Sequence, residues 1–262
     1  MTYIGDLWDD VARAVAFLSR IPMPQRHFVD HDGRLERVVR AFPFAGMLIA
    51  LPAAVLAATL MALHVSSLFT AFLVIAVQAL VTGALHEDGL GDTADGFGGG
   101  RDRESALEIM KDSRVGTYGA LALILSVGLR VSALASFLPL LGPIDAGLAL
   151  LAVSALTRGA MVWHWSRLPA ARRDGVAASA GTPDPRATST ALGSAVLFSL
   201  LLFYAAGVPT IAVLLALAAF ALTVKAFGKI ASRKLGGHTG DTIGATQQLT
   251  EIAILGALAL AI

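Results

Sequence analysis

The sequence predicts an all-α polytopic integral membrane protein: a helical bundle of about six to seven transmembrane helices, with an interfacial amphipathic helix at the amino terminus. Three observations carry this. Apolar residues make up 56% of the 262-residue chain and charged residues only 15%, against roughly 25% charged in soluble domains. Apolar runs recur at lengths that cover about 30 Å of hydrocarbon. Basic residues gather in alternate connectors instead of spreading evenly. The net charge of +1 argues against a nucleic-acid partner, which would need a basic surplus to neutralise phosphates. The absence of cysteine excludes a disulfide framework, a thiolate metal site and a cysteine nucleophile.

The chain reads as one membrane domain over 1–262, with a cytoplasmic or interfacial amino-terminal segment at 1–41. There Leu7, Trp8, Val11, Val15 and Leu18 share one helical face, and Asp9, Arg13 and Arg20 lie opposite. That pattern fits a helix lying along the bilayer and equally a short helix packed on protein. No cleavable signal peptide is expected, because Asp6, Asp9, Asp10 and Arg13 interrupt the first apolar residues. Spans are expected at 42–63, 67–85, 119–141, 145–165, 191–207 and 209–227, with a seventh, polar at its start, at 241–262. The connectors near 64–66, 142–144 and 207–209 contain no Lys or Arg, whereas 13–40, 101–114, 167–186 and 225–234 carry nearly all of them. The positive-inside rule puts these basic segments and the amino terminus in the cytoplasm.

Two arginines fall inside spans. A charge at the bilayer centre costs at least about 2.5 kcal/mol on insertion scales, so each needs an anionic partner. Arg130 reads as structural; Arg158 reads either as a phosphate contact or as half of a structural ion pair. The long loop 166–190 is rich in Pro, Gly and Ser and is expected to be mobile. Its Arg172, Arg173 and Asp174 are placed to meet an anionic substrate or simply to be solvated on the positive side.

The stretch HEDGLGDTADGFGGGRDRESALEIMKDSRVGTYG, His86 to Gly119, is the most distinctive part of the chain. Asp88, Asp92 and Asp95 recur at steps of four and three, which puts them on one helical face about 60° wide. A solvated helix end, a cation-coupled transport site and a magnesium site for phosphoryl transfer all use such a face. Transport sites place isolated acids near the midplane, whereas these cluster at a cytoplasmic boundary. Mg²⁺ takes one or two carboxylates plus substrate phosphates, so Asp88, Asp92 and Asp95 are its expected ligands, with Glu87 and Asp112 as further acids. Gly96, Gly98 and Gly99, together with Gly89, Gly91 and Gly100, are expected to let a pyrophosphate approach the backbone. Arg101, Lys111 and Arg114, with Arg103, are suited to phosphate oxygens, although each also fits an ordinary positive-inside charge.

A second polar island, GGHTGDTIGATQQLTE, spans Gly236 to Glu251. A helix beginning near Thr239 or Asp241 would offer N–H groups to a phosphate. Asp241 and Glu251 are each candidates for a third metal ligand or for the base that deprotonates an attacking hydroxyl. His238 reads as a loop histidine or as an aid to proton transfer. The segments 86–118 and 228–251 are expected to build one site, with Asp241 facing Asp92 and Asp95 and with Asp95 and Asp241 as the catalytic acids.

The acidic stretch, continued to GALAL, together with GGHTGDTIGA, FLSRIPMP and AFPFAGMLIA, resembles the cobalamin synthases, the adenosylcobinamide-GDP ribazoletransferase family, from about Phe17 to Glu251. The resemblance implies a multipass enzyme of the bacterial inner membrane that uses Mg²⁺ and faces the cytoplasm. It would join adenosylcobinamide-GDP to α-ribazole or its 5′-phosphate and release GMP. Its partners would be those small molecules and the lipid bilayer, with room for a homo-oligomer or for association with other cobalamin-assembly enzymes. Asp92 to Gly96 also resembles the opening of the CDP-alcohol phosphotransferase signature, but Arg101 then arrives one place late and Asp112 stands alone. A lipid-headgroup phosphotransferase is therefore the second reading and a cation-coupled transporter the third.

Overall fold

Helix α7 (Pro143–Arg167) is the axis of the bundle, and its sequence explains why. Ala146, Ala149, Ala152, Ala155 and Ala160 are all fully buried, and such small residues let neighbouring helices approach closely where lipid supplies no hydrophobic drive. Gly147 lies against the carbonyl of Ala54, where a Cβ would stand 3.1 Å away, and Gly159 lies against the Ala195 methyl. Around this axis the computed structural model, which describes residues 3–29, 31–172 and 175–262, arranges ten further helices. They are α1 (Tyr3–Leu18), α2 (Phe42–Ala62), α3 (Ser67–Thr82), α4 (Leu85–Gly99), α5 (Arg103–Ile109), α6 (Thr117–Phe137), α8 (Val176–Ser179), α9 (Pro185–Ala205), α10 (Thr210–Leu235) and α11 (Gly240–Ala261). Among the described residues no strand forms beyond one isolated bridge between Ala170 and His238.

Among the described residues six helices are long and apolar enough to cross a membrane, namely α2 with its preceding turn, α6, α7, α9, α10 and α11, and α3 with α4 makes a seventh if that bent pair counts as one span. The protein is thus an all-α polytopic membrane protein, as the composition predicts. Exposed Phe69, Phe72, Leu121, Ile124, Leu197 and Leu222 give the bundle an apolar exterior, which suits hydrocarbon. Each expected span coincides with a helix, and the differences lie at the ends. Helix α10 runs on to Leu235, and α9 begins at Pro185, capped by the Asp184 carboxylate on the N–H groups of Arg186 and Ala187.

The span expected at 67–85 ends early. Helix α3 has 16 residues, about 24 Å, and α4 then departs at 91°. Gly83 and Ala84 both take left-handed backbone, with φ of 65° and 56°, and two such residues in succession end the first helix and re-aim the chain. Gly83 also has no room for a side chain, because the Arg20 guanidinium fills that space. Helix α4 consequently runs along the end of the bundle, where it packs against α11, α6 and α5.

The amino-terminal helix is packed on protein. Val11, Val15 and Leu18 are buried against α2 and its preceding turn, while Trp8 is 63% exposed. Asp10, also buried, receives Arg40 at 2.7 Å. The loop after α7 is likewise anchored where mobility was expected. The N–H of His238 donates to Pro169 O and that of Ala171 to His238 O, both at 2.8 Å. Further on, the N–H of Asp184 donates to Glu36 O at 2.9 Å. Arg173 and Asp174 lie outside the described residues.

Candidate active site

The two polar islands meet where α4 crosses the start of α11. Glycines set the distance: a Cβ on Gly89 would stand 2.8 Å from the Asp241 carbonyl oxygen, and one on Gly244 would stand 3.4 Å from the His86 Cα. Backbone therefore rests on backbone, and Asp88 lines the same crevice as Asp241, with the Asp92 carboxylate close enough to feel both charges. A crevice of about 180 Å³ opens there, lined by Asp88, Gly89, Gly240 and Asp241 and walled by Leu18, Met161 and Trp165.

The electrostatics of this crevice are one-sided. Burial, and then the negative charges of Asp88, Asp241 and Asp95, push the Asp92 carboxyl up to about 7. The opposing charge is Arg172, whose Nη2 lies 3.7 Å from Asp241 Oδ2 and donates to Leu107 O at 3.2 Å. Arg172 reaches the site because the Pro169–Ala171 backbone is stitched to His238, an arrangement that leaves no space for a Cβ on Gly237. Thr239 caps α11, donates its hydroxyl to Asp241 Oδ2 at 3.2 Å and forms a reciprocal capping box with Thr242. Beyond that cap, the first turn of α11 begins at the crevice with the Gly240 and Asp241 N–H groups lacking an intrahelical acceptor. Burial pushes the His238 ring down to about 4; it is a neutral loop residue packed edge-on against Trp165.

Asp95 is placed differently from its two companions. Its side chain turns inward and accepts hydrogen bonds from the N–H of Gly116 at 2.7 Å and of Gly119 at 2.8 Å. Side chains at either glycine would collide with the carboxylate. Asp95 therefore anchors the start of α6 to α4, a negative charge at a helix amino terminus. The G-x-x-G of VGTYG was the available signal for this contact.

The other expected phosphate contacts disperse. Gly96 packs against Met110 and Ala106, Gly98 against the Tyr118 ring and Gly99 against Ile109. These glycines seat α5 and α6 on α4 where an open cradle was expected. Arg114 is held by Asp112, with Nη2 to Oδ2 at 2.6 Å, and this exposed pair keeps the Asp112 carboxyl down at about 2. Arg101 and Lys111 are exposed. Arg103 ties α5 to the bundle through Leu235 O and Ala171 O, each at 2.7 Å.

Arg158, Glu87 and Glu251 belong to a separate buried chamber. Arg130, 1% exposed, donates from both terminal nitrogens to Glu87 Oε1 at 3.2 Å and lies 3.8 Å from Glu251 Oε2. Gln247 donates to Glu251 Oε2 at 2.6 Å and Gln248 to Glu87 Oε1 at 3.1 Å, while Glu87 Oε2 has no protein partner. Arg158 and His86 line the same space. Arg130 thus has the anionic partners its place in a span demands. His86 separates chamber from crevice, since it lines both.

Magnesium fits the crevice on the chemistry of its donors. Among the described residues no three acidic or histidine side chains already converge on one metal position. A hard cation that takes one or two carboxylates, keeps waters and shares substrate phosphates does not need such a cage.

Fold and site together define a polytopic membrane protein with an excess of carboxylates in a crevice at one end of the bundle. Comparison with known proteins makes this specific. The sequence profile described as cobalamin-5-phosphate synthase matches residues 10–259. The chain belongs to that family. It is 74% identical over 262 residues to the adenosylcobinamide-GDP ribazoletransferase of Sinorhizobium medicae and 75% identical to that of Rhizobium meliloti, in each case over the whole of both chains. The enzyme of the same name from Brucella anthropi is 40% identical over 98% of this chain and 99% of its own. No solved structure matches the chain.

Proposed function

We propose that the chain carries out nucleotide loop assembly, joining adenosylcobinamide-GDP to α-ribazole or its 5′-phosphate with release of GMP. Family membership selects this reaction over lipid-headgroup phosphotransfer and cation transport. The observation that carries the site is the meeting of Asp88 and Asp92 with Asp241 across the α4–α11 crossing.

In this reaction a ribose hydroxyl attacks the phosphorus next to the cobinamide. The new P–O bond forms as the bond to the bridging oxygen breaks, GMP leaves with that oxygen, and the hydroxyl proton passes to a base. Asp88, Asp92 and Asp241 would hold Mg²⁺, which when bound neutralises charge at the bridging and leaving oxygens. The remaining work falls to the chain. The α11 amino terminus and Arg172 hold phosphate oxygens, Asp241 receives the hydroxyl proton if it is not itself a Mg²⁺ ligand, and Asp95 keeps α6 fixed behind the acids. Leu18, Met161 and Trp165 keep water from that side of the crevice. Arg101 and Lys111, exposed along the approach, draw in the anionic substrate. The crevice faces the cytoplasm of a bacterial inner membrane, since the connectors 63–66, 138–142 and 206–209 at the opposite end carry no Lys or Arg.

The test is direct. Membranes containing the protein, given adenosylcobinamide-GDP, α-ribazole and Mg²⁺, should release GMP; no release, or release of CMP from a CDP-alcohol, would refute the reading.

A further inference from the structure

A second groove, of about 580 Å³, lies between the ends of α7 and α10, outside the crevice. Its charged lining is entirely basic: Arg167 from α7, and Lys225, Lys229 and Arg233 from α10. The three α10 residues follow one another at steps of four, so they stack on one helical face, where like charges repel. Among the described residues none of the four has an acidic partner. At the back of the groove sits His164, buried, its Nε2 on the Thr242 hydroxyl at 3.1 Å and its Nδ1 without a protein partner. An anion is the missing component.

Depth in the membrane identifies which anion. Helix α10 has 26 residues, about 39 Å, against about 30 Å of hydrocarbon. Its last turns therefore stand in the headgroup layer, within reach of lipid phosphates. Trp163, with the Arg167 guanidinium 4.4 Å over its ring, is the aromatic–cation pair expected at that level. Beside the basic face, Leu222 is 69% and Ile230 46% exposed, so acyl chains can run along α10 while a headgroup enters the groove. A soluble phosphate would leave those apolar neighbours unexplained.

We infer that this groove is a binding site for the headgroup of an anionic phospholipid, whose phosphate meets Lys229, Arg233 and Arg167. The occupant neutralises the α10 face and holds it against α7. Through Leu235, which accepts from Arg103, and Lys234, which donates to Phe97 O at 2.9 Å, it steadies the far end of α4.

The test reads lipid binding and not turnover, so it stands whatever becomes of the proposed reaction. The full-length Trp8→Phe protein is reconstituted in phosphatidylcholine vesicles containing brominated phosphatidylglycerol at low mole fraction, and tryptophan quenching is followed. The result expected is saturable quenching by brominated phosphatidylglycerol at mole fractions where brominated phosphatidylcholine has no effect. That preference should weaken about tenfold or more in Lys225→Gln/Lys229→Gln/Arg233→Gln, persist in Lys225→Arg/Lys229→Arg, and fall as salt is raised. Equal quenching by the two lipids overturns the site, as does a preference unchanged in the neutral variant. If that variant fails to insert, a salt-insensitive preference in the parent protein does the same. Displacement of the brominated lipid by millimolar inorganic phosphate or GMP would reassign the groove to soluble phosphates.

Discussion

Gly89 is the residue on which the joining of the two islands depends, and a single methyl group tests it. A Cβ at this position would stand 2.8 Å from the Asp241 carbonyl oxygen, 3.1 Å from its Cα and 3.3 Å from its carbonyl carbon. All three atoms are backbone at the capped start of a helix, so no rotamer relieves the clash. In Gly89→Ala the α11 amino terminus must move off α4 by several tenths of an ångström, and the Asp241 carboxylate moves with its Cα. Overpacking of this kind costs about 1–3 kcal/mol, partly offset by the roughly 1 kcal/mol that Ala gains over Gly in a helix. The protein should therefore still insert and fold. Catalysis is less tolerant, since a misplacement near 1 Å costs on the order of a hundredfold. GMP release should fall about tenfold to a hundredfold.

Gly91, two residues on, is the control. There a Cβ would meet Leu123 Cδ1 at 3.6 Å, an ordinary contact, so Gly91→Ala should raise thermal stability by about 0.5–1 kcal/mol with turnover unchanged. Turnover and melting are measured on both purified variants. Normal GMP release from Gly89→Ala would show that the crossing does not set the catalytic geometry.

Asp88→Asn and Asp92→Asn should each abolish GMP release without loss of membrane insertion, as followed by fractionation and activity. Asp241→Asn should weaken the apparent Mg²⁺ affinity if Asp241 is a ligand, or lower kcat at saturating Mg²⁺ if it is the base; an unchanged Mg²⁺ titration and turnover would remove it from the site. Gly119→Ala should push the Asp95 carboxylate off the α6 amino terminus and lower the melting temperature, whereas a melt identical to the parent's would show that α6 is fixed elsewhere. Arg130→Met should destabilise by about 3–5 kcal/mol because it strands Glu87 and Glu251 in the interior, and adding Glu87→Gln should recover part of that loss in the same thermal melt.

Much of this architecture is readable from sequence because the bilayer imposes a length and a polarity that few helices meet by accident. The apolar runs locate a helix at every expected span, although α9 begins about six residues before its run, α10 ends about eight residues after its own, and α3 stops short. The bend at Gly83–Ala84 was not readable, since nothing local marks Ala84 for left-handed backbone; it is forced by Arg20 from the amino-terminal segment and by the packing of α4 on α11. In the sequence the glycines read as openings for a pyrophosphate, whereas in the fold protein atoms occupy those openings. A sequence registers the absence of a side chain, and only the fold shows that Met110, Tyr118 and the Asp241 backbone fill those spaces. Arg172 was visible as a loop cation, yet its place beside Asp241 depends on backbone pairing between segments more than sixty residues apart.

Two sets of charges lie close together in this fold, and their balance separates structure from chemistry. In the chamber, Glu87 and Glu251 meet Arg130 and Arg158, and the glutamine amides fill most of the remaining hydrogen bonds. In such a set the charges are matched even though Glu87 Oε2 and Arg158 Nε have no protein partner: its cavity of about 20 Å³ holds roughly one water, and removing any member exposes a charge to low dielectric. On the other face of His86, Asp88 and Asp241 line an open crevice with Asp92 near by, and among the described residues Arg172 is the cation set against them. Carboxylates crowded without enough counter-charge raise one another's proton affinity, as at Asp92. The same repulsion becomes attraction for a divalent cation carrying a pyrophosphate. By this criterion sequence motifs rich in acids divide according to whether the fold returns an arginine to them. Glu87 is one residue from Asp88, yet the turn of α4 sends it to Arg130 and leaves Asp88 facing the crevice.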